Sequence, residues 1–344
     1  MPVRFYGAKE MTVLQRLRSL LTYWSLALGL FVFAFLVVAF GEDIVSQLTN
    51  LNAWGVLAFI CVSLGQTLVW AVRWQVLAKA LSGGHMVNVW TCLSAIWQTG
   101  LISQVLPREV ADIGGRAVLL SRRSAMPIGS AAHSVFVDRV LDLVLLMVVI
   151  PSAIGLMWLP PTREAWLIIA CASVGIGFFA LALLLPAATW LLGVTAQRAR
   201  RFFTWMTNRS NAPQQQGNIA DDALPHTFTP VQRVNLAGLT VVKYGLLVTR
   251  AGCVAWAIET VIPASTLVSI SPVGQASWAL SFTPGGLGVY EAGWFLALVQ
   301  FGALPAIAVA YITTQRVLIL AAALLFFIPT VLLGSPARKT HPEK

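Results

Sequence analysis

Charge is scarce in this chain. Asp, Glu, Lys and Arg make up 10% of its residues, where a soluble globular domain carries about 25%, and 58% of the residues are hydrophobic. That composition excludes a water-soluble globule and leaves a polytopic helical membrane protein, since several uncharged runs reach the roughly 20 residues needed to cross a bilayer as helix. Cysteine is equally thin. Cys61, Cys92, Cys171 and Cys253 all sit in apolar runs without a CxxC or other ligand spacing, so neither a disulfide framework nor a metal site is expected. No Gly-Lys pair occurs anywhere; a nucleotide-binding P-loop is therefore missing, and ATP-driven pumping is not expected. No cofactor is expected either. Acidic residues, 13 against 23 Lys and Arg, leave a formal charge of +10. In a membrane protein that surplus belongs in cytoplasmic loops facing anionic lipid, not on nucleic acid.

What is present in quantity is apolar sequence. Six runs are long enough to span: about 20 to 40, 54 to 74, 128 to 155, 165 to 187, 234 to 262 and 305 to 333. The first is too long for a signal-peptide core and reads as an uncleaved span. Two further regions break at proline. Residues 86 to 106 run into Pro107 and a polar stretch holding Arg108, Glu109, Asp112 and Arg116. Residues 266 to 282 run into Pro284-Gly285-Gly286, after which only Val289 to Phe301 remains before the next turn, thirteen residues or about 20 Å of helix. Both regions are expected to be re-entrant hairpins of two half-helices, tolerated at membrane depth only where the broken backbone faces protein or water.

With the N- and C-termini cytoplasmic and each hairpin returning to its own side, the cytoplasmic segments hold sixteen cations, Arg73 and Lys79 among them, and the external loops hold only Arg163. That asymmetry obeys the positive-inside rule. The remaining ionisable groups at membrane depth are Arg108, Arg116, Arg139, Lys243, Arg250 and Arg316 with Glu109, Asp112, Asp138, Asp142, Glu259 and Glu291, a balance of zero. The polar segment from about 190 to 233 suits a flexible cytoplasmic loop, and the whole chain, 1–344, is expected to form one integral membrane domain.

A single offset relates three marked pairs: Pro107 and Pro284, Arg139 and Arg316, and Arg73 and Arg250 each lie 177 residues apart. Under the charge-derived topology the first hairpin enters from the cytoplasm and the second from outside. The halves, about 50–155 and 230–333, are thus candidate inverted repeats, the arrangement from which secondary transporters build a midplane site.

Within 128 to 155, Ser134, Asp138 and Asp142 share one helix face and Arg139 precedes Asp142 by three residues. Charges there must face protein or a wet cavity, since lipid would cost several kcal/mol. Lys243 and Arg250 lie seven apart on one face with no carboxylate three or four residues from either. Such a stripe calls for an acidic residue from elsewhere, Glu291 or Glu109, or for a lipid phosphate. The glycines after Pro284 supply bare backbone just before a half-helix whose N-terminal amides can face an anion.

Leu106-Pro107 through Gly114-Gly115-Arg116-Ala117, Val137-Asp138-Arg139-Val-Leu-Asp142, Thr283-Pro284-Gly-Gly-Leu-Gly-Val-Tyr-Glu291 and Gln315-Arg316 together resemble the membrane region of lysylphosphatidylglycerol synthases, the flippase-like family, over about residues 20 to 333. Asp138 stands where many members have Glu. The resemblance implies a bacterial or archaeal lipid-translocating domain of the inner (cytoplasmic) membrane. Only ten residues follow Gly334, so the soluble aminoacyl-transfer domain of full synthases, and lysine transfer from tRNA, are not expected.

The reading that follows is a flippase moving a polar-headgroup or polyprenyl-phosphate-linked lipid without ATP hydrolysis. Arg139 and Arg316 are expected to reach the headgroup from two sides, supported by Arg116, Arg250, Lys243, Arg73, Gly285, Gly286 and Gly288. Asp112, Asp138, Asp142 and Glu291 are expected to balance charge or carry protons. Two rivals remain: an integral membrane glycosyltransferase using a polyprenyl-phosphate sugar, and a non-catalytic partner of an envelope-biosynthesis enzyme.

Overall fold

The computed structural model describes residues 50–82, 86–104, 106, 110–124, 126–158, 172–173, 175–182, 228–279, 281, 283 and 285–332. The expected span at 20 to 40 lies outside the described residues. So do most of 165 to 187, the loop up to 227, and Pro107, Arg108, Glu109 and Pro284. Among the described residues there are helices and no strands. The principal helices are α1 (Ala53–Leu81), α2 (Val89–Ile102), α3 (Arg116–Ser124), α4 (Ile128–Trp158), α5 (Pro230–Ala257), α6 (Ala264–Ala279), α7 (Val289–Gln300) and α8 (Pro305–Leu332).

Three of them, Ala53–Leu81, Pro230–Ala257 and Pro305–Thr330, are long and apolar enough to cross a membrane. α4, with 31 residues, is long enough but carries Asp138, Arg139 and Asp142 in its middle. The exposed surface of the long helices is oily: Leu57, Leu64 and Leu68 on α1, Val234 and Val242 on α5, and Leu320, Leu324 and Ile328 on α8 all stand outward. Arg73, Arg116 and Asp138 are 0% exposed. Apolar outside and ionic inside is the partition that lipid, not water, imposes.

The two expected hairpins are pairs of short helices. α2 and α6 have 14 and 16 residues, and α7 has 12, or about 18 Å, less than the roughly 30 Å of hydrocarbon. In the first hairpin a wide π-helical turn, Val110–Gly115, leads into α3. The second turns at Gly285–Gly288, where Gly285 and Gly286 have φ of 62° and 75°, conformations that a side chain disfavours. The breaks meet. The Gly285 amide donates to the Ser103 carbonyl at 2.8 Å, so each hairpin satisfies backbone that the other's interruption exposes.

The offset of 177 recurs in the elements. α1 and α5 start at 53 and 230, α4 and α8 at 128 and 305, and α2 and α6 end at 102 and 279. Even the capping residues correspond: Asn52 accepts from the Trp54 and Gly55 amides, and Thr229, 177 residues on, forms a capping box with Gln232. A tertiary contact is mirrored too. Trp74 Nε1 donates to Ser134 Oγ at 3.1 Å, and at the corresponding positions Tyr311 donates its hydroxyl to the Ala251 carbonyl at 2.9 Å.

α1 and α5 cross antiparallel. At one end the Asn52 amide donates to the Ala257 carbonyl at 2.9 Å; well along the helices Arg73 Nη1 donates to Thr240 Oγ1 at 3.1 Å. The crossing is close because α1 presents Gly55, where an added Cβ would lie 2.6 Å from the Ala257 backbone. Gly55→Val is therefore expected to lower the yield of folded protein, overpacking of this kind costing about 1–3 kcal/mol. Gly65→Ala, whose Cβ meets nothing within 4 Å, is expected to be neutral; size-exclusion recovery of both variants checks this.

Candidate functional site

A cavity of about 210 Å³ opens between α1, α2, the π-helical turn, α4, α5, α6 and α8. Its lining includes the apolar side chains of Trp97, Leu145, Leu146, Ile319, Ala322 and Phe326. It also includes Gln66, Gln104, Asp112, Arg139, Asp142, Lys243, Arg250 and Gln275. Both hairpins contribute.

Against the ionisable lining residues lies a fully buried hub of Arg73, Arg116 and Asp138. Asp138 Oδ1 accepts from Arg73 Nε at 3.0 Å and from Nη2 at 2.7 Å; its Oδ2 accepts from Arg116 Nη1 at 3.0 Å and Trp70 Nε1 at 2.7 Å. Four donors thus converge on one carboxylate, the condition under which a charge can be kept in a water-poor interior. Arg116 Nε also pairs with Asp112 at 2.6 Å. Closer to the cavity, Asp142 takes Arg73 Nη1 and Lys243 Nζ, each at 2.7 Å, with Arg139 Nη1 at 3.7 Å. Arg139 pairs chiefly with Asp112.

Trp70 holds this cluster together, though its place in an apolar run gave no hint of it. The Lys243 ammonium lies 4.5 Å from the ring centroid, and the Arg116 and Arg139 guanidinium carbons lie at 4.8 and 5.1 Å. Three cations around one indole share its negative face, at about 0.5–2 kcal/mol each. The legible signal was spacing: Gln66, Trp70 and Arg73 fall on one helix face in a span otherwise apolar. We expect Trp70→Phe, which keeps a ring but loses the bond to Asp138, to lower the thermal unfolding midpoint, and Trp70→Leu to lower it further. Equal midpoints for the two variants would remove the ring from the account.

Several sequence expectations change. Arg73 does not sit at a cytoplasmic end: α1 continues to Leu81, and Arg73 is 0% exposed at the centre of the hub. The partners of Asp138, for which chain spacing named none, are Arg73 and Arg116. Arg139 and Arg316 do not face one cavity from two sides. Arg139 borders it, whereas Arg316, 5% exposed, lies away from it and donates Nε to Glu291 Oε1 and Nη1 to the Gly285 carbonyl, both at 2.8 Å. Glu291 Oε2 in turn accepts from the Gly288 amide at 2.7 Å. Gly285, Gly286 and Gly288 thus form the hairpin tip, against Gln104 and Trp278, rather than the cavity wall.

The charge balance changes as well. Glu259 is exposed at the far end of α5, accepting from Asn52 at 3.1 Å, and Arg73 moves inward. Among the described residues the cavity and its hub hold five cations, Arg73, Arg116, Arg139, Lys243 and Arg250, against three carboxylates, Asp112, Asp138 and Asp142. The formal surplus is two positive charges. Among the described residues no group of three His, Cys, Asp or Glu is placed to hold a metal ion.

No curated protein and no solved structure shows significant similarity to the chain. A family model does: that of the lysylphosphatidylglycerol synthase TM region matches residues 24–326, a span that includes both hairpins, the hub and the cavity, and the chain belongs to that family.

Proposed function

We propose that this membrane protein translocates a polar-headgroup lipid carrying a phosphate across the inner membrane without nucleotide hydrolysis. The observation that carries the reading is the cavity: its lining combines apolar side chains suited to acyl chains with ionisable ones that, together with the hub behind them, carry two surplus positive charges, and one phosphodiester headgroup would offset half of that surplus. Arg139, Lys243 and Arg250 contact the headgroup; Arg73, Arg116 and Arg316 hold the framework that positions them; Asp112 and Asp142 exchange partners with the headgroup as it arrives. The halves 50–155 and 230–333 act as inverted repeats whose hairpin tips, joined at Ser103 and Gly285, separate the cavity from one face at a time.

Purified protein in phosphatidylcholine liposomes containing fluorescent phosphatidylglycerol tests this. The expected result is that an impermeant quencher reaches inner-leaflet label only in vesicles holding the protein, with no donor sugar present. Label protected as well as in empty vesicles, with every headgroup in a panel, would overturn it; a requirement for a polyprenyl-phosphate sugar would point to the glycosyltransferase instead. For orientation, Ser124→Cys in a cysteine-free background is expected to react from the cytoplasmic side, and reaction from outside would remove the inverted relation of the hairpins.

A further inference from the structure

The correspondence between the halves has a gap in it. In the first half Arg73 is held by three side chains: Asp138, Asp142 at 2.7 Å and, across the α1–α5 crossing, Thr240 at 3.1 Å. Moving each position by 177 residues gives Arg250 for Arg73, Gln315 for Asp138 and Ile319 for Asp142; the reciprocal of Thr240 is Ser63 on α1. Both carboxylates are missing from the second copy.

The atoms that would have made those bonds are left over. Arg250 Nε, Gln315 Oε1 and Ser63 Oγ are all buried without a hydrogen-bond partner, and a buried polar group in that state costs about 1–3 kcal/mol. Among the described residues no carboxylate pairs with Arg250; its guanidinium rests 5.7 Å from the centroid of Phe59. The space is open rather than filled, since Arg250, Ser63 and Ile319 all border the cavity. Two orphaned donors, Arg250 Nε and Ser63 Oγ, beside a cavity, where the related half holds two aspartates, describe an anion site built without its anion.

We propose that Arg250 is the anchor for a ligand's phosphate, whose anionic oxygens take the place that Asp138 and Asp142 fill in the first half. Arg250 presents its planar fork to two phosphate oxygens, and the Ser63 hydroxyl donates to one of them. Lys243 and Arg139, already paired with Asp142 and Asp112, make secondary contacts to the headgroup beside this primary one. A phosphodiester lipid and a free phosphate ester share this chemistry. The proposal rests on the reading of the cavity as the substrate site, and adds to it which residue grips and what it grips.

The test uses the full chain in phosphatidylcholine nanodiscs, titrated with short-chain phosphatidylglycerol, with glycerol phosphate as the tail-free competitor. Wild-type protein is expected to bind the lipid, and Arg250→Gln to bind it about tenfold more weakly or worse, as removal of a charge-assisted pair predicts. Arg250→Lys, with the charge but not the fork, is expected between them. Gln315→Glu leaves Arg250 in place but returns a carboxylate at the position of Asp138; it is expected to fold at least as well as wild type and to lose lipid affinity, because Arg250 is then neutralised from within. Competition by glycerol phosphate would assign the site to the phosphate ester alone, and lack of competition to the intact lipid; both support the anchor if Arg250→Gln abolishes the binding. Wild-type affinity in a well-folded Arg250→Gln or Gln315→Glu protein would overturn it. Liposome transport separates the two readings: lipid binding that depends on Arg250, without transport by wild type, removes translocation and keeps the anchor, whereas transport by Arg250→Gln at the wild-type rate does the reverse.

Discussion

Asp138→Ala is expected to leave almost no folded protein in the membrane. Asp138 is 0% exposed, as are Arg73 and Arg116, and it is the carboxylate they share. Removing it takes two bonds from Arg73 and one from Arg116, leaving two buried cations with only Asp142 and Asp112 as carboxylate partners, where breaking a single buried pair costs about 3–5 kcal/mol, and Trp70 loses its acceptor as well. Asp138→Asn keeps the shape and is expected to be little better, because an amide supplies one acceptor oxygen and no charge. Partial rescue by Arg116→Gln in the Asp138→Asn background would show that the unpaired charge, rather than lost shape, is what harms the fold. Membrane abundance and monodispersity of the single and double variants decide it. Normal abundance of Asp138→Ala would mean that the hub is hydrated and loosely held.

The second large effect concerns Arg316. Its guanidinium bonds Glu291 on α7 and the Gly285 carbonyl at the tip, while the Gly285 amide bonds Ser103 in the other hairpin. One side chain therefore fixes α8, α7 and the junction of the two hairpins. Arg316→Gln leaves Glu291 buried without a countercharge and is expected to cost about 3–5 kcal/mol, partly recovered by Glu291→Gln in the same chain. Arg316→Lys keeps the charge but cannot reach both acceptors in the same geometry. It is expected to preserve abundance and to reduce transport severely, since the tip carbonyl is released. Transport at the wild-type rate in Arg316→Lys would show that the tip carbonyl contact is dispensable.

How much of this was legible depends on the range of the interaction. Helices, hairpin breaks and the offset of 177 follow from local composition, and the element boundaries fall in the same register. The ion pair Arg139–Asp142, three residues apart, could be read from helical spacing and is present at 3.7 Å. The partners of Asp138 could not. Arg73 lies 65 residues away, and no local rule joins them. Arg73 was misplaced for a related reason: the apolar run was ended at 74, just after its first charge, whereas the helix continues to Leu81 because a buried carboxylate pairs with that charge. Ser63 was invisible, and Gln315 stood out only as part of a family motif, because neutral residues in apolar spans carry no signal of a site until their partners are known to be missing. Trp70 shares a helix face with Gln66 and Arg73, but that spacing does not reveal the three cations around its ring, which come from other helices.

The hydrogen bond between Gly285 and Ser103 also bears on how the chain is made. During synthesis the first hairpin emerges long before the glycine that completes it. Some 180 residues of chain separate the two, or roughly ten to forty seconds at ordinary elongation rates of about 5–20 residues per second. For that interval the Ser103 carbonyl lacks the partner it has in the finished fold. Water or another part of the chain must satisfy it until the second half arrives. Biogenesis of such a protein should be sensitive to translation speed between the two halves, and slowing the ribosome there should expose the early intermediate to membrane proteases.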